Sequence, residues 1–278
     1  MKVKKLYFII GGTGRLGRAL ADEYYAEKII VLPRSVYGDW VLPEQGQNVS
    51  DYFQQYKNYD ITIFITSGLL DPSLSLEKLL SVNYWLPRNV IDGVQSFPSR
   101  VITFGSVMET LMRRGNNYIA SKSKFSENLE AYGSLNNQNL HIQIHTLYGA
   151  GAPSPFMFLG QILDALQHNK SFVMTSGSQL REYHHIDDEV KAIRIIEESG
   201  QTGIVDLSHG MPVSLLEMAN YIFNEFGVRG LLEVGGLPDA PSENFNKIYE
   251  VHNVLRSAKF RDTLPGIISY LKPMVTSK

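Results

Sequence analysis

An apolar run, Leu6–Ile10, ends in Gly11-Gly12-Thr13-Gly14-Arg15-Leu16-Gly17 and passes into a helix-like stretch, Arg15–Ala26. Glycines at 11, 14 and 17 between a buried strand and a helix constrain the fold more than anything else in the chain. The first permits a tight turn at the strand end, and the second lets a bulky diphosphate approach the backbone. The third lets the helix pack close to the sheet. The N-terminus of that helix would offer free N–H groups and a favourable dipole to the same diphosphate. Glycine-rich turns are common, and it is the strand before and the helix after that make this one point to a dinucleotide. Thr13, Arg15 and Leu16 complete the loop and are grouped with the glycines as cofactor contacts.

Hydrophobic residues make up 44% and charged residues 19% of the 278 residues, an ordinary globular balance able to bury a full core. The formal charge of −2 supplies no basic field for nucleic acid, although a local basic pocket for a phosphorylated ligand stays open. With no cysteine, disulfides, thiolate catalysis and cysteine-ligated metals are excluded. The apolar run stops at two glycines after Ile10, too short for a signal peptide, and reads as a strand. No apolar stretch has the length of a membrane span. A soluble, cytoplasmic protein is expected, with no membrane and no nucleic-acid partner.

Strand-like runs at Ile29–Leu32, Ile61–Ile65, Val101–Phe104 and His141–Leu147 alternate with helical segments at Leu74–Val94 and Asn116–Tyr132. The stretch Tyr37–Tyr56 between them is polar and turn-rich. Such alternation predicts an α/β fold, a Rossmann-type doubly wound parallel sheet covered on both faces. From Gly149 the pattern changes to a proline-containing loop, a helix at about Phe156–His168 and short strand-like pieces. The expected organisation is a dinucleotide-binding domain over 1–150, with 188–226 returning to it. A smaller C-terminal α/β substrate lobe would comprise 151–187 and 227–278.

Pro33-Arg34-Ser35 ends the second strand. An acidic residue there takes the ribose hydroxyls of NAD, whereas a basic one accommodates the phosphate of NADP. Arg34 is in that place and Asp39 comes too late, so NADP is expected, with NAD as the alternative. Arg15 is within reach of the same phosphate, and an exposed loop charge is the bland reading of Arg34. After the third strand, Thr66-Ser67-Gly68 lies where the chain would pass the cofactor, with Ser67 as the contact.

Tyr118-Ile119-Ala120-Ser121-Lys122 places a phenol and an ammonium four apart on one helix face. A free tyrosine has a pKa near about 10. Lys122, with cofactor charge nearby, is expected to pull it down and make Tyr118 an acid-base group. Ser106 ends the preceding strand, where open parallel sheets place their ligands.

Glycine loop, strand-end serine and Tyr-Lys pair, in that order, resemble the short-chain dehydrogenase/reductase family over at least residues 3 to 210. The resemblance implies that Ser106, Tyr118 and Lys122 form the catalytic triad. Tyr118 would be the acid/base, Ser106 would orient the substrate, and Lys122 would bind the nicotinamide ribose. His145-Thr146-Leu147-Tyr148-Gly149 and Arg181-Glu182-Tyr183-His184-His185-Ile186-Asp187-Asp188 resemble segments of the extended, sugar-nucleotide branch. From these the resemblance implies substrate contacts at Tyr148 and at Arg181, which would take the diphosphate, and another at Asn83. Asn48-Val49-Ser50-Asp51 resembles the element lying near the adenine. Family members often dimerise through the Tyr-Lys helix. Phe125, Leu129 and Tyr132 would suit the seam of a homodimer, or equally a core.

The 4,6-dehydratases carry Thr-Asp-Glu where this chain has Ser106-Val107-Met108, which argues against water elimination. Glu109 is one place too late and reads as a residue capping or solvating the loop. His184 and His185 are adjacent on an extended stretch, point to opposite faces and read as packing residues, so no metal is expected. The compact loop from Ser106 to Tyr118 resembles that of 4-keto reductases such as the CDP-abequose and CDP-paratose synthases. The leading expectation is NADPH-dependent reduction of a 4-keto (deoxy)sugar nucleotide. An NAD-dependent 4-epimerase is the alternative, and a non-catalytic NADP-binding sensor or scaffold the third reading.

Overall fold

The computed structural model describes residues 4–111, 116–132, 138–239 and 243–276. They fall into two compact units, Met1–Ile144 with Ile193–Leu207, and His145–Ala192 with Ser208–Lys278.

In the first unit β1 (Lys5–Ile10), β2 (Ile29–Leu32), β3 (Asp60–Ile65), β4 (Ser99–Ser106), β5 (Leu140–Ile144) and β6 (Gly203–Asp206) form one sheet. Its order is β2-β1-β3-β4-β5-β6, with every pairing parallel. After their first residue, β1 and β3 are buried throughout, as expected of strands covered on both faces. Ile10 is level with both Leu32 and Ile65, so three strands end together. The order reverses between β1 and β3, and open α/β sheets bind ligands beyond the strand ends at such a point.

Leu6, Phe8, Ile10, Ile61, Ile63 and Ile65 bury one face of the sheet against Trp40, Val49, Phe53, Leu86 and Val90. Three of these come from Tyr37–Tyr56, read from the sequence as turns. That stretch holds a 3-10 turn at Gly38–Val41 and a helix at Gly46–Phe53, which contains the Asn48–Asp51 element. Its apolar residues are too widely spaced to show a period, yet Trp40, Val49 and Phe53 are buried. Asn89 fixes the segment by accepting from Gln45 N at 3.0 Å and donating to the Trp40 and Leu42 carbonyls, both at 2.7 Å.

The single helix expected over Leu74–Val94 is broken into Leu76–Leu80, a π turn at Ser81–Trp85 and a helix at Leu86–Val94. Pro87 explains the break. Its ring clashes with the carbonyl four residues back in a continuous α-helix, and the wider π turn relieves that contact. Pro87 then sits in the first turn of the following helix, where a missing N–H costs least.

The chain returns to the first unit at Ile193–Leu207. Glu197, buried, accepts from Lys5 Nζ at 2.7 Å and from the Tyr24 hydroxyl at 3.4 Å. Arg194 donates to Glu27 and to the Glu23 carbonyl, each at 3.1 Å. This return ends at Leu207, and the helix Leu215–Glu225, expected to belong to it, goes with the second unit.

In that second unit, helices Phe158–His168, Leu215–Glu225 and Thr263–Thr276 share a core of Leu159, Ile162, Met218, Ile222, Ile267 and Leu271. Thr146–Tyr148 pairs with Tyr183–His185, and Phe172–Met174 with Leu232–Val234. The expected strand His141–Leu147 is therefore two strands. It divides at His145, where the chain passes from one unit to the other.

On the Tyr-Lys helix, Asn117–Tyr132, Phe125 is buried with its ring 5.4 Å from His141, a core position, and Leu129 is half-buried. The Tyr132 side chain lies outside the described residues. Replacing Asn89 with Ala should strand one buried N–H and two carbonyls. It should cost about 2–4 kcal/mol in urea denaturation, with the m-value unchanged.

Candidate functional site

The turn after β1 and the end of β3 approach each other closely. Gly11 takes φ +91°, and a Cβ there would lie 2.5 Å from Ser67 N and 2.5 Å from Ser67 Oγ. A Cβ at Gly17 would lie 2.5 Å from the Gly11 carbonyl oxygen and 2.8 Å from Thr66 Oγ1. The Ile10 carbonyl seals the contact, accepting from Thr66 N at 2.9 Å, Ser67 N at 3.2 Å and the Thr66 hydroxyl at 3.0 Å. Gly14 is the N-cap of the helix Arg15–Glu23. No side chain caps that helix, and its first turn carries no carboxylate. Thr13, Gly14 and Arg15 are exposed, and Leu16 is half-buried. A backbone N–H cluster without a competing anion fits a diphosphate. At the end of β2, Arg34 is exposed and opens a one-turn helix, Arg34–Tyr37.

Ser106, Tyr118 and Lys122 meet at the end of β4. Ser106 Oγ accepts from Met108 N at 3.3 Å, and the serine hydroxyl lies near the Tyr118 phenol. Lys122, on the same helix as Tyr118, donates from Nζ to the Phe104 carbonyl at 2.7 Å. The ammonium also adjoins the loop after β3, since a Cβ at Gly68 would lie 3.7 Å from Lys122 Nζ. The same loop is held by Asn83, expected to contact substrate. Instead its amide, 3% exposed, is used internally. It accepts from Leu69 N at 3.0 Å and donates to the Leu69 carbonyl at 3.0 Å and to Ser121 Oγ at 2.9 Å. Asn83 thus ties the loop to the helix bearing Tyr118 and Lys122.

The electrostatics reverse one expectation. Among the described residues, burial and the charge of Glu109 push the Tyr118 phenol up to about 12, and the Ser106 hydroxyl works the other way. Burial also lowers Lys122 from its ordinary value, against the pull of Glu109. Such a phenol keeps its proton at neutral pH and suits a donor.

Sequence reasoning missed Glu109 as a part of this site. It is buried rather than solvated, and it does cap, accepting from Ser106 N at 2.7 Å. The available signal was on β5, where the polar residues His141 and Gln143 alternate with apolar ones on a strand that has to be buried. Both face Glu109.

Two expected substrate residues lie in the second unit. Arg181 donates to the Leu180 carbonyl at 2.9 Å and pairs with the Glu243 carboxylate, so its fork is already occupied. Tyr148 is a core residue, its ring 5.1 Å from that of His185 and 5.7 Å from that of Tyr270. Gly266 closes over its hydroxyl, which has no hydrogen-bond partner among the described residues.

A parallel sheet whose order reverses beside a glycine turn, with a serine and a Tyr-Lys helix at the next strand end, is the short-chain dehydrogenase/reductase version of the Rossmann fold. Residues 7–206 match the NAD dependent epimerase/dehydratase family, and the chain belongs to that family of enzymes. None of the curated proteins matches it in sequence. Among solved structures it is similar to UDP-glucose 4-epimerase from Thermus thermophilus in complex with NAD. The identity is 14% over 99% of this chain and 100% of that one, with a TM-score of 0.74. It is also similar to GDP-mannoheptose C4 reductase from Campylobacter jejuni with NADP bound (17% identity, 100% of both chains, TM-score 0.72). A third likeness is to UDP-N-acetylglucosamine 4-epimerase from Methanobrevibacter ruminantium in complex with UDP-N-acetylmuramic acid. There the identity is 15% over 99% of this chain and 98% of that one, with a TM-score of 0.74. At these identities the likeness shows the fold.

His145, Glu182 and His184 of the second unit lie close enough to hold a metal, their ligand atoms all within 4.8 Å of one another. His184, however, has Glu189 Oε2 2.7 Å from Nδ1 and Glu182 Oε2 3.2 Å from Nε2. A ring donating from both nitrogens has no lone pair for a metal. His185 points elsewhere, accepting from Asp187 N at 3.2 Å. Burial works against a charged His184, but the flanking carboxylates outweigh it and push the ring up to about 9. Burial would likewise raise Glu182, yet the His184 hydrogen bond, the charges of His145 and His209 and the Ser208 hydroxyl hold it at about 2.

His184 therefore contributes stability that is full below its ordinary value of 6.5 and is lost as pH rises through about 9. The contribution of Glu182 is present above 4.5 and is lost as pH falls towards about 2. The difference in Tm between the protein and its His184→Gln variant should be large at pH 6.5 and shrink steadily by pH 9. A difference independent of pH would remove the charged imidazole.

Proposed function

We propose that the protein reduces a 4-keto (deoxy)sugar nucleotide in the cytoplasm with NADPH, Tyr118 supplying the proton. One observation carries this reading: Tyr118, near the strand-end Ser106, shares a helix with Lys122, which adjoins the loop beside the glycine turn. The structural likeness to an NADP-bound C4 reductase over the whole chain supports it. The glycine turn fits the cofactor diphosphate through Gly11, Thr13, Gly14, Arg15, Leu16 and Gly17, with Ser67 alongside. Arg34 supports NADP over NAD, because a guanidinium at the end of β2 suits the extra phosphate and no carboxylate competes there.

When bound, NADPH supplies the hydride that adds to C4 of the sugar. Ser106 orients the carbonyl oxygen by a hydrogen bond, and Tyr118 passes its phenolic proton to that oxygen as charge develops. Lys122, kept in place by the Phe104 carbonyl, has further hydrogens to offer the cofactor ribose. We assign nucleotide binding to the second unit, where the substrate diphosphate replaces Glu243 as the acceptor for Arg181.

A 4-epimerase retaining NAD is the second reading, favoured by a structural likeness to UDP-sugar 4-epimerases with TM-scores of 0.74 against 0.72 for the C4 reductase. The two separate on cofactor balance. A reductase consumes one NADPH per product from a 4-keto-6-deoxy sugar nucleotide, and an epimerase turns over with none added. Tyr118→Phe should lower kcat by about 100-fold or more with cofactor binding intact. A sensor or scaffold would be indifferent to that change. Arg34→Glu should raise the KM for NADPH by about 10-fold or more and leave that for NADH nearly unchanged.

A further inference from the structure

The proposed chemistry gives no part to Glu109, a carboxylate under the end of β4 on the one-turn helix Met108–Leu111. It is 3% exposed. Burying a carboxylate is costly unless donors meet it, and here they come from two strands. Oε1 accepts from Ser106 N at 2.7 Å, and Oε2 lies 3.1 Å from His141 Nε2 and 3.3 Å from Gln143 Nε2. His141 is anchored in turn, its Nδ1 2.7 Å from Thr103 Oγ1.

Room for the pair exists only because residue 105 is glycine. A Cβ there would run into His141 Nε2 and lie 2.5 Å from Glu109 Oε1. A neutral side chain would cap Ser106 N as well. What Glu109 adds is a negative charge that water does not screen, held at Ser106 N two residues along β4 from the Phe104 carbonyl that takes Lys122, on the helix of Tyr118.

We infer that Glu109 is a positioning residue of this site. It pins Ser106 and holds a fixed negative charge towards Tyr118 and Lys122, which sets the site to give a proton to a carbonyl oxygen rather than to take one from a hydroxyl. The inference rests on the proposed function and deepens it. A phenolate beside a carboxylate is disfavoured, so the phenol keeps its proton until a carbonyl oxygen draws it away. An epimerase must first oxidise a hydroxyl, which requires the phenolate as base, and the same charge opposes that step. Among the described residues, the charged or titratable groups involved are Glu109 from the short helix, Lys122 from the helix of Tyr118, and His141 from β5. Burial alone would raise the Glu109 carboxyl. The His141 hydrogen bond and charge, Lys122 and Ser106 N bring it below its ordinary value, so it stays ionised at neutral pH.

The test needs no substrate. Ionisation of Tyr118 is followed by absorbance at about 295 nm, as the difference between the full-length protein and its Tyr118→Phe variant. The same difference is then taken in a Glu109→Gln background, which keeps an acceptor for Ser106 N and removes the charge. The Tyr118 midpoint should fall by about one pH unit or more in that background, and Glu109→Asp should restore most of it. If Glu109→Gln does not fold, the double variant Glu109→Gln/His141→Leu removes the charge together with its buried partner and is read in the same way. An unmoved midpoint overturns the inference and leaves Glu109 as scaffold. A Tyr118→Phe variant that keeps full turnover instead overturns the proposed function, and the titration still decides the part of Glu109.

Discussion

The contact on which the rest of the first unit depends is the one between the turn after β1 and the end of β3. One carbonyl, that of Ile10, accepts two backbone N–H groups and a hydroxyl from Thr66 and Ser67. Gly11 and Gly17 let the turn come near enough for this, and side chains at either would collide with what they face. The start of the helix Arg15–Glu23 is then fixed relative to the loop at 66–68. That loop in turn adjoins Lys122 and is bonded by Asn83 to the helix of Tyr118. A displacement at the glycines would thus pass to Tyr118 and Lys122 through backbone and amide bonds, with little slack on the way.

Buried amides do the work that loops cannot do for themselves. Asn83 and Asn89 are each almost wholly enclosed and each spend both ends of the amide on backbone far away in sequence. Loops have few apolar contacts and many backbone groups needing partners, so one asparagine satisfying three of them replaces a stretch of sheet or helix. Both residues come from the interrupted segment Leu76–Val94, which serves the loop after β3 at one end and the segment after β2 at the other.

Much of this was legible in the chain itself. Five of the six sheet strands announce themselves as short apolar runs, and the glycine turn, Ser106 and the Tyr-Lys pair stand at spacings whose chemistry follows from residue type. What escaped notice shares a cause. The helix Gly46–Phe53 has only Val49 and Phe53 buried, too few to display a period. The run His141–Leu147 looks continuous, and nothing in its composition says that its two halves pair with different strands. The surroundings of Tyr148 and Arg181 are set by Gly266 and Glu243, far along the chain. Glu109 meets a histidine 32 positions away, and its carboxylate raises Tyr118, whereas the chain shows only the nearby Lys122 beside that tyrosine. Local pattern identifies elements and residue types, whereas the partners of buried polar groups are decided by the tertiary fold.

The π turn at Ser81–Trp85 makes the number of residues in this segment critical. Taking one residue out of that turn would remove the room it gives the Pro87 ring and swing everything before the deletion by about 100° against everything after it. Asn83 would lose its bonds to Leu69 and Ser121 or Asn89 would lose its bonds to Trp40 and Leu42, since the shortened segment cannot present both amides in their present directions. The segment should therefore accept many exchanges of side chain and almost no change in length.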